Sequence, residues 1–166
     1  MTRVITIGAR PHLAALIFIT GALLLAGCAT PQRLEEPRTR PHGVHAVLVA
    51  EALVGTPYRY GGSRPEEGFD CSGLVHYSYG RTGVSVPRTV RDLRDHTQPV
   101  RPRELAAGDL VFFRIGRKRN AHVGLYTGDG AFIHAPSSGS RVRKDQLDDP
   151  YWKKRYERAG RIPDQN

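Results

Sequence analysis

Cys71, His122 and His134 have the residue types and spacing that nucleophilic acyl chemistry needs. A cysteine attacks a carbonyl as its thiolate, so it needs a lowered pKa, a base within hydrogen-bond reach and donors for the oxyanion. Cys71 directly follows Asp70, a good helix N-cap, and precedes Ser72-Gly73-Leu74-Val75. A helix starting there would turn its unpaired N–H groups and the positive end of its dipole toward the sulfur, favouring the thiolate. Ser72 and Gly73 leave room for a substrate to approach. His122 and His134 stand 12 positions apart in two consecutive strand-like runs. One imidazole can take the thiol proton while the other orients it, as a carboxylate does in a triad. The same three side chains would also make a zinc site with one open position. The placement of Cys71 at a helix start, and the lack of a close CxxC or HxxxH pair, favour catalysis without a metal or other cofactor.

The hairpin joining the two histidine strands must meet a geometric requirement. Residues facing each other across a hairpin share a face, and a slip of one residue sends them to opposite faces. If His122 pairs with His134, the loop is Thr127-Gly128-Asp129, followed by Gly130. A two-residue Gly128-Asp129 turn would pair His134 with Val123 and separate the imidazoles. The chemistry therefore requires the three-residue loop, or an irregularity of the same parity.

The elements that must hold these residues are legible in outline. Val44, Val47, Leu48 and Leu53 predict a helix over 43–53, ended by Gly55 and Pro57, and 58–68 reads as a loop. The nucleophile helix runs from Asp70 to Gly80 or Gly83. Leu74, Val75 and Ser78 line its packed face, and His76 is half-exposed. A short helix is expected over 89–95. Leu110–Phe113, Ala121–Thr127 and Ala131–Ala135 read as strands, the last two joined by a Gly-Asp-Gly turn. Helices followed by antiparallel strands make the class α+β. The aromatic and basic segment 151–156 should seal the sheet with its rings and keep its charges wet.

The N-terminus reads as a targeting segment. Arg3, Arg10 and His12 precede an apolar run, Leu13–Ala26, that is shorter than the roughly 20 residues of a membrane-spanning helix. It ends in Leu25-Ala26-Gly27-Cys28, which resembles the lipobox of bacterial lipoprotein signal peptides. That resemblance implies cleavage after Gly27 and lipid on Cys28, whose acyl chains would anchor the protein stably at a membrane. Residues 28–42, with Pro31, Pro37 and Pro41, form the lipidated cysteine and a tether, and 43–166 the catalytic domain. Ala29 points to the outer membrane, facing the periplasm, if the source is Gram-negative. With the lipid on Cys28, Cys71 is a lone thiol in an oxidising compartment, where an even pair would normally form a disulfide. Removing 27 of the 166 residues takes away Arg3 and Arg10 but no acid, so the net charge falls from +9 to +7. That excess suits an anionic partner, and export argues against nucleic acid.

Pro57-Tyr58-Arg59-Tyr60-Gly61-Gly62, Asp70-Cys71-Ser72-Gly73, Gly108-Asp109-Leu110-Val111-Phe112-Phe113, His122-Val123-Gly124-Leu125-Tyr126 and Phe132-Ile133-His134-Ala135 follow one another in order. Together they resemble the markers of NlpC-type cell-wall peptidases over about residues 44–162. The tail Pro150-Tyr151-Trp152-Lys153-Lys154 is similar to that of the small lipoprotein members. The resemblance implies a compact papain-like fold, with N-terminal helices packed on a mainly antiparallel sheet. It implies Cys71 as nucleophile, His122 as general base and His134 as orienting residue. The Tyr58 hydroxyl would complete the oxyanion hole with the Cys71 backbone N–H, and Asp70 and Ser72 would line the substrate side. The expected activity is cysteine endopeptidase cleavage of peptidoglycan stem or cross-link peptides, by a monomer. The alternative is an inactive envelope-binding or scaffold lipoprotein on the same fold, against which the intact Tyr58, Cys71, His122 and His134 argue. Many relatives carry a glutamine shortly after the Val86-Pro87-Arg88-Thr89 element, where this chain has Arg91-Asp92-Leu93-Arg94; substrate preference is the property that this departure touches.

Overall fold

The computed structural model describes residues 41–115 and 120–163. The signal segment, Cys28 and the tether up to residue 40 lie outside the described residues. Among those described, no helix is long and apolar enough to cross a membrane.

Helix α1 spans Pro41–Ala52, so it takes in the last two residues assigned to the tether. Its buried face is Gly43, Ala46, Val47 and Ala50, a stripe of small side chains at helical spacing. Val44 and Leu48, two of the apolar residues that predicted the helix, are 39% and 56% exposed. The helix is rotated this way because it lies almost in backbone contact with the turn before the main sheet. A Cβ on Gly43 would stand 3.1 Å from the Ala107 carbonyl oxygen, and Gly108 sits at φ +94° with the Gly43 backbone where its own Cβ would be. Bulky residues cannot occupy that approach.

The segment expected to be a loop contains a small hairpin, β1 (Ser63–Arg64) and β2 (Gly68–Phe69). Helix α2 spans Cys71–Gly80 and α3 spans Val90–His96, capped by Thr89. Six further strands follow: β3 (Gln98–Val100), β4 (Leu110–Ile115), β5 (Asn120–Tyr126), β6 (Ala131–His134), β7 (Arg143–Gln146) and β8 (Tyr156–Arg161). A four-residue helix, α4 (Pro150–Lys153), lies between the last two. They form one antiparallel sheet in the order β3-β8-β4-β5-β6-β7, and the α+β class holds.

Alternation along the strands builds two apolar layers. Leu110, Phe112, Val123, Leu125, Ile133 and Ala135 pack with Leu74, Val75, Ala46 and Val47 of the helices. On the other face Val111, Phe113, Tyr126, Phe132 and Ala159 gather around Trp152 of α4. Trp152 thus seals the sheet as expected, while Tyr151 is about half exposed with the Arg155 guanidinium 3.6 Å above its ring. Asp109, almost fully buried, accepts two 2.6 Å hydrogen bonds from Arg161 and so ties the start of β4 to the end of β8.

Candidate active site

Asp70 caps α2 as expected. Its Oδ1 accepts from the Gly73 N–H at 2.7 Å, and Cys71 becomes the first helical residue. The N–H groups of Ser72 and of Cys71 itself face the sulfur, and so does the N–H of Val123 in β5. The last contact is possible because β6 pairs with β5 only through Leu125–Ile133 and Tyr126–Phe132. The first half of β5 has no β6 neighbour, and the tip of α2 lies there, one residue along from His122. The residues before α2 are strapped into place as well. Phe69 N–H donates to Pro57 O at 3.1 Å and Arg59 N–H to Phe69 O at 3.0 Å, which holds half-buried Tyr58 alongside the approach to Cys71.

The resting ionisation of Cys71 differs from the expected thiolate. Burial pushes the thiol up to about 11, and the nearby Asp70 carboxylate adds to the rise. The helix N-terminal and Val123 N–H groups pull the other way but do not outweigh desolvation. The sequence displays the dipole of a helix start; it does not display how deeply the sulfur is seated. Tyr58 is also raised above its ordinary value, first by burial and then by Cys71 and Asp70, so its hydroxyl keeps a proton to donate.

The two imidazoles come together, but not as a directly opposed pair. The observed register shifts the pairing by two positions, placing His134 across from Gly124, so that His122 lies on its diagonal. The loop is accordingly Gly128-Asp129-Gly130 between Thr127 and Ala131, where the Thr127 N–H bonds the Ala131 carbonyl at 2.9 Å. It is one residue later than expected but of the required parity, so both rings share the Trp152 face. His122 Nε2 and His134 Nδ1 are 2.9 Å apart. Trp152 stacks on His122 at 5.8 Å between centroids and meets His134 edge-on at 4.8 Å. The histidines are 2% and 0% exposed. Burial first, and then the neighbouring ring, drives His122 down to about 3; burial also lowers His134, against the opposing pull of Asp145. Both rings are therefore neutral at pH 7. The two facing nitrogens are bonded to each other in this arrangement and are not turned toward a common point.

Three further residues belong to this site. Arg88 grips the N-cap with a bidentate pair, Nη1 to Asp70 Oδ1 at 2.9 Å and Nη2 to Oδ2 at 2.8 Å. It also donates to Ser72 Oγ at 2.9 Å and to the Gly62 carbonyl at 3.1 Å. Burial alone would raise the Asp70 pKa, but Arg88 and the Gly73 and Gly61 N–H groups hold it below its ordinary value. Asp145 of β7 lies 3.0 Å from His134 Nε2 through its Oδ2, and the Trp152 indole N–H donates to the same oxygen at 2.9 Å. Arg88 was visible in sequence only as part of a marker, and Trp152 only as a ring for the sheet. Asp145 carried no local signal, because it reaches His134 through pairing between β6 and β7.

A model of the NlpC/P60 family matches residues 55–161. Murein DD-endopeptidase MepH of Escherichia coli K12 is 46% identical over 114 residues, which are 66% of this chain and 42% of that protein. The probable endopeptidase NlpC of the same strain is 41% identical over 155 residues, 89% of this chain and 97% of its own. Among solved structures, a lipoprotein-like NLP/P60 family protein from Staphylococcus aureus Mu50 superposes with a TM-score of 0.67 at 32% identity. That match covers 76% of this chain and 43% of the other. The chain thus spans less than half the length of MepH and nearly all of the E. coli NlpC protein. The expected papain-like architecture agrees with these neighbours.

Proposed function

The chain belongs to the NlpC/P60 family, and from that premise we propose that it is a peptidoglycan hydrolase, a cysteine endopeptidase that cleaves stem or cross-link peptides. The observation that carries the proposal is the Cys71 helix tip meeting β5 beside a hydrogen-bonded, buried His122–His134 pair. The names of the E. coli relatives support the substrate class.

In this mechanism the resting pair is a neutral thiol and a neutral imidazole. His122 takes the thiol proton as sulfur attacks the peptide carbonyl, so the transfer accompanies attack rather than preceding it. The Tyr58 hydroxyl and the Cys71 backbone N–H hold the oxyanion. His122 then returns the proton to the leaving amine, and a water hydrolyses the thioester. His134 keeps the His122 ring in plane. Asp70 and Ser72 border the substrate beside the nucleophile, with Arg88 fixing their orientation.

Export and anchoring complete the proposal: removal of residues 1–27, lipid on Cys28, a tether up to α1, and placement at the outer membrane facing the periplasm if the source is Gram-negative. The lipobox-like Leu25-Ala26-Gly27-Cys28 supports them. The test combines purified protein with sacculi and defined muropeptides, read by mass spectrometry. Wild type releases peptides, Cys71→Ala does not, and chelators change nothing. Release by Cys71→Ala at the wild-type rate refutes the nucleophile. A wild type that binds wall and releases nothing points to the scaffold alternative. Cys28→Ser should free the protein from membranes.

A further inference from the structure

We propose that Asp145 is a positioning residue that dictates, through His134, which nitrogen of His122 is left bare to receive the Cys71 proton. The proposal rests on the catalytic reading of Cys71 and His122 given above. A carboxylate can only accept. Asp145 is held ionised, first by its hydrogen bond with His134 and also by Arg143 and Trp152, all against the effect of burial. At 3.0 Å from Asp145 Oδ2, His134 Nε2 must therefore be the donor. Neutral His134 then has a bare Nδ1, which can only accept. Across the 2.9 Å contact, His122 Nε2 must be the donor. The proton of neutral His122 is thereby placed on Nε2, and its Nδ1 carries the free lone pair that a general base requires.

Without an acceptor at the end of the chain, the opposite polarity becomes equally good. His134 would donate from Nδ1 to His122 Nε2, and His122 would carry its proton on Nδ1. That ring satisfies every hydrogen bond but cannot accept a proton at Nδ1. The charge acts in the same direction, since Asp145 favours the imidazolium that His122 becomes when it takes the thiol proton.

Asp145 is itself built into place. Its Oδ2 accepts from Trp152 Nε1 at 2.9 Å, from Arg143 Nη2 at 2.9 Å and from Arg143 Nε at 3.1 Å, besides His134. Asp145 pairs across the ladder with Phe132, and His134 with Arg143, so all four side chains project from one face. The crowd of N–H donors around Oδ2 predicts how an amide would sit there. Asparagine would turn its oxygen, not its NH2, toward His134, keeping the polarity while losing the charge.

The test reads imidazole nitrogens directly, by long-range 1H–15N correlation on the 15N-labelled full chain at pH 7. Wild type should show His122 protonated at Nε2 and bare at Nδ1. Asp145→Asn should keep that pattern and hold kcat within about tenfold, whereas Asp145→Ala should mix or reverse it and lower kcat about 10- to 100-fold with little change in KM. An unchanged His122 pattern in Asp145→Ala overturns the proposal, and so does an Asp145→Asn variant that loses as much turnover as Asp145→Ala. Wild-type His122 carrying its proton on Nδ1 overturns it without any variant, which covers the case of a variant that fails to fold. These nitrogens are read without substrate. A wild type with the expected pattern that cleaves no wall peptide counts against the functional reading and not against the polarity.

Discussion

Replacing Arg88 by methionine tests whether the charge pair beneath the nucleophile holds the site together. Arg88→Met keeps the aliphatic stem and removes the guanidinium. It leaves the Asp70 carboxylate, whose side chain is 14% exposed, with only the Gly73 and Gly61 N–H groups and the Ser72 hydroxyl as partners among the described residues. Removing one member of a fully buried pair costs about 3–5 kcal/mol. The Arg88 side chain is 34% exposed, so water recovers part of that loss and about 2–3 kcal/mol remains. For a domain of this size the Tm should drop by roughly 6 to 15 °C. The pH dependence is the sharper signature. In wild type the Asp70 pKa is depressed, so its contribution is present above the unfolded value and lost as pH falls through the folded one. In the variant, burial without the guanidinium raises that pKa, and the carboxyl can escape its penalty by binding a proton. The stability gap should therefore be full at pH 7 and shrink toward pH 4. Asparagine caps helices as well as aspartate does, so Asp70→Asn combined with Arg88→Met should be more stable than Arg88→Met alone. The assay is urea unfolding followed by circular dichroism, from pH 4 to 7. A loss below about 0.5 kcal/mol, a gap independent of pH, or strictly additive effects in the double variant would refute the reasoning.

Other expectations follow from the same contacts. Iodoacetamide should label Cys71 slowly at neutral pH, with a rate that climbs toward about pH 11 and shows no low-pH plateau; rapid labelling at pH 6 would mean a preformed thiolate. Because His122 is held neutral down to about pH 3, stability should fall as pH drops below the unfolded histidine value. The slope should approach about 1.4 kcal/mol per pH unit from this residue alone. His122→Gln should flatten it, and an unchanged slope would show that the ring is not buried neutral. Ser78 Oγ is buried without a hydrogen-bond partner among the described residues, so Ser78→Ala should stabilise the fold by about 1 kcal/mol in thermal or urea unfolding; destabilisation would reveal a missing contact.

Sequence reading succeeded where the signal was local. Asp70 announces a helix start by its own chemistry, and Val123 and Leu125 alternate with His122 and Gly124 between the two faces of a strand, both of which are covered. The parity of the hairpin was readable, but its register was not, because Thr127-Gly128-Asp129-Gly130-Ala131 accommodates two loops of equal parity. The choice is made by positive φ at both Gly128 and Gly130, and by Asp129, which takes hydrogen bonds from the Thr127 hydroxyl and the Ala131 N–H. Val44 and Leu48 announce the helix but not its orientation, because apolar periodicity does not reveal that a helix lies against a bare backbone turn. Arg88 and Asp145 were missed for one reason. Each serves a residue 18 or 11 positions away, through folds of the chain that composition does not encode.

The strand that supplies Asp145 is also the last in its sheet, and among the described residues its outer edge has no partner strand. An uncovered edge invites a stranger's strand, and proteins commonly deter this with charged side chains or proline. Here Arg143, Lys144 and Asp145 stand in sequence along one border, and Pro99 sits in the middle of β3 on the other. Swapping these charges for apolar residues would do more than disturb the histidines. It would remove the guard against templated stacking between molecules. One four-residue strand thus answers to two pressures, solubility at its rim and proton order within, and neither can drift freely while the other is kept.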